Sequence, residues 1–143
     1  MKAIRHTGIV VENLDKALVF YRDILGLKVS KQAQEPAEYI GKLSGLNKDV
    51  KLTTVKLSAD DGNLVELLHC PSCSRKLSTD RSLFDKGISH IAFSVADLDF
   101  EYKRLAEAGV KFNSSPCVSP NGYAKVVFCQ DPEGNFIELV QVL

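Results

Sequence analysis

The sequence predicts an α+β fold in which two tandem βαβββ modules form one cupped, mixed β-sheet. Three observations favour it. The chain repeats a set of residues at matching intervals, each copy runs from strand to helix to strands, and one helix per copy cannot cover both faces of a four-stranded sheet. We therefore expect a single domain over residues 1–143, built of modules 1–69 and 87–143 joined by a polar linker at 70–86.

The repeat begins with a histidine and ends with a glutamate in each half. His6 and His90 each open a β-favouring run. Gly-Asn-Leu-Val-Glu-Leu at 62–67 then matches Gly-Asn-Phe-Ile-Glu-Leu at 134–139. Because the same features recur in the same order, the two halves are predicted to be copies of one module.

Each copy also carries the signals of one helix followed by strands. Asn13 and Asp97 are suitable N-caps before an apolar stripe, and Gly26 and Gly109 can take the left-handed conformation that ends a helix. The predicted strands lie near 3–11, 28–34, 50–58 and 63–69 in the first copy, and from 90 and near 110–113, 124–130 and 135–142 in the second.

Two histidines and two glutamates at equivalent places are candidate metal ligands. A carboxylate among apolar strand neighbours is costly unless it is paired or metal-bound. A lone strand histidine is usually structural, as we expect for His69, but a matched set of four indicates a shared site. Such donors suit one Zn, Ni, Co, Mn or Fe(II) ion with up to two positions open to substrate oxygens. The predicted ligands are His6, Glu66, His90 and Glu138.

Composition excludes several classes of partner. The chain has 18 basic and 18 acidic residues with no block of like charge, so nucleic acid and anionic membranes are not expected. Neither a signal-peptide pattern nor a membrane-spanning apolar run is evident, which predicts a cytoplasmic protein. Cys70 and Cys73 have C-x-x-C spacing but no matching second pair, so we expect reduced thiols, with Cys129 as a core residue.

The paired modules resemble the vicinal oxygen chelate superfamily, also called the glyoxalase/bleomycin resistance/dioxygenase superfamily, over essentially the whole chain. Residues 6–11 and 17–27 are similar to its first strand and helix, and residues 87–95 and 131–139 to its fifth and eighth strands. The resemblance implies a glyoxalase-like fold and places the four candidate ligands on the family's metal-ligand positions.

Residue differences separate the activities found in this superfamily. Methylmalonyl-CoA epimerase is similar at 65–69, at 83–90 and in linker length. Glyoxalase I, the lactoylglutathione lyase, holds glutathione with an arginine and an asparagine where this chain has Val10 and Cys70. Extradiol dioxygenases need no ligand at the Glu66 position, and antibiotic-binding resistance proteins generally lack the metal set.

The resemblance therefore implies a metal-dependent lyase or isomerase, epimerase-like, with glyoxalase I as the alternative and a dioxygenase or resistance protein less favoured. The substrate would be an acyl-CoA or a 2-oxo aldehyde hemithioacetal. The metal would polarise a carbonyl and stabilise the enediolate left when a neighbouring C–H loses its proton. Glu138 is implied as the base and Glu66 as an opposing acid or base.

Assembly is predicted from the sheet edges. Each module has an edge that must be paired or covered, and members of this fold complete their cups within one chain or across a two-fold dimer. We expect a homodimer, and the sequence is compatible with cups completed within one chain or across the dimer.

Overall fold

The computed structural model describes residues 1–45, 50–72 and 81–143. The chain divides into two compact units, Met1–Lys76 and Leu77–Leu143, and each contains one four-stranded sheet. In both sheets the first strand lies parallel to the fourth, and the other pairs are antiparallel. The prediction of an α+β protein with one βαβββ module in each half is confirmed.

The first unit has the strand order β1-β4-β3-β2. Helix α1 continues directly as a π-helix over Val19–Ile24. The elements are β1 (Thr7–Val11), α1 (Leu14–Leu18), β2 (Lys28–Glu35), α2 (Ala37–Ser44), β3 (Leu52–Ser58) and β4 (Leu64–His69). Helix α2 was not predicted; its Ile40 packs with Val50, Leu52 and Cys70.

The second unit has the strand order β5-β8-β7-β6. Its elements are β5 (His90–Ser94), α3 (Leu98–Glu107), β6 (Cys117–Val118), β7 (Ala124–Gln130) and β8 (Phe136–Val142). The strand predicted near 110–113 is wrong, because Phe112 forms only an isolated bridge with Cys129. The outer strand is instead the short β6, which follows Pro116, a residue that has no N–H to give to a ladder.

The predicted starts and ends of the two helices are confirmed by hydrogen bonds and backbone angles. The Asn13 side chain accepts a hydrogen bond from Lys16 N at 3.0 Å, and Asp97 accepts one from Phe100 N at 3.0 Å. Gly26 and Gly109 follow the two helices with φ of +82° and +85°, where a Cβ would be strained.

One face of each sheet is covered by its own helix. In the first unit α1 packs on β4, and in the second α3 packs on β8. Strand alternation sends the fully or nearly buried residues toward the helix, and each such side chain stabilises the fold by about 1.5–3 kcal/mol. The buried apolar strand residues on the helix side are Ile9, Val11, Val55, Leu57, Val65 and Leu67 in the first unit and Val127, Cys129, Ile137 and Leu139 in the second, whereas the buried Phe136 lies on the other face of β8. The opposite face of each sheet therefore carries the remaining strand side chains.

The cysteines only partly follow the prediction. Cys129 is a fully buried core residue as expected, and burial, followed by the charge of Asp131, raises the pKa of its thiol to about 12. The prediction of reduced thiols is wrong for Cys70, which is disulfide-bonded, while Cys73 lies outside the described residues. C-x-x-C spacing occurs both in reduced cysteine pairs and in disulfides, so the spacing alone could not distinguish the two states. None of the described helices is long and apolar enough to cross a membrane.

Candidate metal centre

In the first unit, Glu66 lies between a histidine and a lysine. His6 Nε2 is 3.0 Å from Glu66 Oε2, and Lys56 Nζ is 3.3 Å from Glu66 Oε1. The Glu66 side chain is only 11% exposed. A carboxylate buried to this extent requires compensating partners, and both of its oxygens have one.

In the second unit, the equivalent pair has different surroundings. His90 Nε2 is 3.3 Å from Glu138 Oε2, and the Glu138 side chain is 19% exposed. The Phe128 ring packs edge-to-face on the His90 imidazole, with 5.2 Å between ring centroids. Ser89 Oγ lies 2.6 Å from His90 Nδ1. This contact occupies one ring nitrogen and leaves Nε2 directed at the carboxylate.

The strand registers explain why the same pair forms twice. β1 pairs with β4 so that Gly8 lies opposite Glu66, and β5 pairs with β8 so that Ala92 lies opposite Glu138. Each histidine precedes that small residue by two positions and so projects from the same face. A residue with little or no side chain opposite each glutamate leaves room for the carboxylate beside the imidazole.

The hairpins before the two glutamates are also equivalent. The connection 59–63 is closed by Ala59 N donating to Asn63 O at 3.0 Å, and the connection 131–135 by Asp131 N donating to Asn135 O at 3.0 Å. Because the two turns have the same length, the residue opposite the glutamate is Lys56 in one hairpin and Phe128 in the other. The duplicated backbone thus presents one different side chain beside each carboxylate.

The donor chemistry of each pair fits a divalent ion. Imidazole nitrogen and carboxylate oxygen bind such ions at about 2.1 Å, so two of them at near right angles on one ion lie about 3 Å apart. The N···O distances of 3.0 Å and 3.3 Å match that spacing. One pair supplies only two protein donors, and sites usually need three or four.

The structure brings the predicted site residues together as two pairs. Within the described part of the chain, no group of three or more histidine, cysteine, aspartate or glutamate side chains is placed to hold an ion. The joining of both pairs around one ion therefore stays a prediction. Sequence reasoning missed Lys56, Ser89 and Phe128. Counting back from the two hairpin turns would have identified the first and last of these, because the turn length sets the cross-strand partner.

Comparison with known proteins agrees with this architecture. A family model described as Glyoxalase/Bleomycin resistance protein/Dioxygenase superfamily matches residues 3–139. The chain is 30% identical over 137 residues to a probable lactoylglutathione lyase from Synechocystis sp., covering 95% of this chain and 92% of that protein.

Solved structures give the same result for the fold. A glyoxalase family protein from Bacillus cereus superposes with a TM-score of 0.88 at 23% identity, covering 100% of this chain and 95% of that one. The fosfomycin resistance protein FosX from Listeria monocytogenes, solved with Mn(II) and sulfate, has a TM-score of 0.68 at 14% identity, covering 100% of this chain and 94% of that one. These likenesses confirm the predicted glyoxalase-like fold.

Proposed function

Because the chain belongs to the glyoxalase/bleomycin resistance protein/dioxygenase superfamily, we propose that it is a divalent-metal-dependent lyase of the glyoxalase I type. The observation that carries this proposal is the pair of equivalent His–Glu contacts at 3.0 Å and 3.3 Å. The name of the Synechocystis relative favours a lyase over the epimerase-like reaction expected first from the sequence. The Mn(II) bound by FosX supports a divalent ion as cofactor.

His6, Glu66, His90 and Glu138 would hold the ion, which as a Lewis acid polarises a carbonyl of the substrate when bound. The proposed substrate is the hemithioacetal of a 2-oxo aldehyde. A proton leaves the carbon that bears sulfur and hydroxyl and is returned to the neighbouring carbonyl carbon, which yields a 2-hydroxy thioester. The hydroxyl proton moves at the same time to the oxygen of the former carbonyl, so the two proton shifts balance, and the reaction is redox-neutral because no external electrons are needed.

The surroundings of the two glutamates favour Glu138 as the base. Glu66 is held from both sides by His6 and Lys56, which suits a fixed ligand. Glu138 is more exposed, and the residue opposite it is Phe128 rather than a cation. A carboxylate that must pick up and return a proton needs access to the reacting carbon, and Glu138 has more of it.

The proposal does not specify which thiol forms the hemithioacetal. Val10 is 57% exposed and Cys70 is buried, and neither offers the cation or amide that holds glutathione in the enzymes it resembles. The test is therefore made with methylglyoxal and a panel of thiols that includes glutathione, coenzyme A and cysteine. Each mixture is assayed in D₂O with Ni²⁺, Co²⁺, Zn²⁺, Mn²⁺ or Fe²⁺.

The expected result is metal-dependent thioester formation, abolished by chelation, with solvent deuterium in the C–H bond next to the thioester carbonyl. Deuterium exchange into methylmalonyl-CoA without thioester formation would instead identify the epimerase, which the similarity at 65–69 and 83–90 makes the second candidate. Oxygen consumption with catechols, or tight binding of an unaltered antibiotic, would overturn both reactions.

We propose that the enzyme is a homodimer, because the open edges of its sheets need to be covered. Its proposed location is the cytoplasm. If one ion draws ligands from two chains, mixing His6→Ala with Glu138→Ala protein restores part of the metal binding. If each site lies within one chain, the mixture stays as defective as its components. A stable monomer with full metal occupancy in sedimentation would rule out the dimer.

A further inference from the structure

Two lysines lie side by side on the sheet face that carries Glu66. Lys31 of β2 is the direct cross-strand partner of Lys56 of β3, which in turn is the partner of Glu66. Register partners in antiparallel strands project from the same face, so the three side chains form a row. Like charges directly opposite each other disfavour a sheet.

The row has an excess of positive charge. Lys56 contacts Glu66, whereas Lys31 is exposed and has no ion pair or hydrogen bond among the described residues. Two ammonium groups against one carboxylate leave the row with one positive charge. If Glu66 also gives its charge to a divalent ion, the unbalanced positive charge beside it increases.

The second unit shows that the duplicated fold does not require these lysines. Phe128 occupies the place of Lys56. Its neighbour on the outer side is Asn113, whose N–H donates to Phe128 O at 2.9 Å. The cationic pair is thus confined to one module and lies beside one half of the candidate centre.

We infer that Lys31 and Lys56 form a binding site for an anionic group, a carboxylate or a phosphate, carried by the substrate close to its reacting carbonyl. Lys56 Nζ is 3.3 Å from Glu66 Oε1, so an anion on the lysine pair lies within one side-chain length of the proposed ligand. The Lys56 side chain is 27% exposed and Lys31 is more exposed, so solvent reaches both side chains. Their flexible stems suit either anion.

The inference deepens the proposed function, but its test is independent of turnover. Chelator-treated protein is titrated with inorganic phosphate and, separately, with acetate at pH 7 and constant ionic strength, and the amide NMR shifts of β2 and β3 are followed. Lys31→Gln and Lys56→Gln are each expected to weaken binding of the preferred anion about tenfold. Lys28→Gln is the matched control, since Lys28 lies on the same strand but pairs with Asp60 at 3.0 Å.

The Lys31 variant keeps the test valid if loss of Lys56 disturbs Glu66, because Lys31 does not touch that carboxylate. Lys31→Arg should retain binding within about threefold. Saturable binding of phosphate alone would identify a phosphate site, and of acetate alone a carboxylate site. Absence of saturable binding, or equal weakening in the Lys28 control, would overturn the inference. Failure of the lyase assay with this binding intact would remove only the proposed reaction.

Discussion

The two His–Glu pairs share a backbone and differ in what surrounds the carboxylate. Both glutamates follow hairpins closed by the same hydrogen bond and lie opposite a small residue of a parallel strand. Yet Glu66 is held by Lys56, whereas Glu138 lies opposite Phe128, the ring that packs on its histidine. The two modules share the register of their strands, whereas the residue opposite the glutamate in the neighbouring strand differs between them. Two side chains of the same type therefore have unequal surroundings.

The largest expected effect is a difference in kcat between variants of the two glutamates. Glu138→Gln should lower kcat by about 10²–10⁴-fold, the usual contribution of a general base. Glu66→Gln, with metal supplied to saturation, should lower kcat less and metal affinity more. Steady-state kinetics across a metal titration measures both. Equal losses of kcat in the two variants would mean that the different neighbours do not divide the roles.

The next effect concerns the histidines, where the two pairs should behave alike. His6→Ala and His90→Ala should each weaken metal binding on the order of 100-fold, at least as much as loss of a residue that merely supports a ligand. Equilibrium dialysis followed by metal analysis gives the affinities. Unchanged affinity in both variants would remove the metal site, and a loss in only one would show that the pairs do not contribute equally.

A smaller difference is expected from the serine that contacts only one of the imidazoles. Ser89→Ala should weaken metal binding by about tenfold, because the Ser89 hydroxyl at 2.6 Å from Nδ1 fixes the orientation of the His90 ring. Ser94→Ala, an exposed change at the far end of β5, the strand that begins with His90, is the control. An effect no larger than that of the control would mean that the Phe128 contact alone orients the ring.

The smallest effect tests the positions opposite the glutamates. Gly8→Ala makes the first module like the second, which has Ala92 there. The new Cβ would meet Leu68 Cδ1 at 3.1 Å, and that methyl group ends a half-buried side chain that can move. Reduced freedom of the unfolded chain should then raise the free energy of unfolding by about 0.5 kcal/mol. Chemical denaturation measures it, and a loss of more than about 1 kcal/mol would show that this close approach requires glycine.

Much of the fold follows from signals that lie close together along the chain. The caps at Asn13 and Asp97, the glycines at 26 and 109 and the hairpin turns each act over a few residues, so their chemistry can be read directly. The repeat of these signals predicted two modules and selected the four candidate ligands.

Pairing between distant segments decided the rest. The contact of His6 with Glu66 depends on a parallel β1–β4 register across some sixty residues, and the Lys31–Lys56 pair on a register shifted by an irregularity between Val29 and Lys31. The failed strand near 110–113 has the same origin, because Phe112 makes only an isolated bridge with Cys129. The unpredicted α2 instead packs its Ile40 against residues that follow it in the chain. Alternation tells which side chains share a face of one strand, but only the assembled ladder determines which neighbour each of them meets.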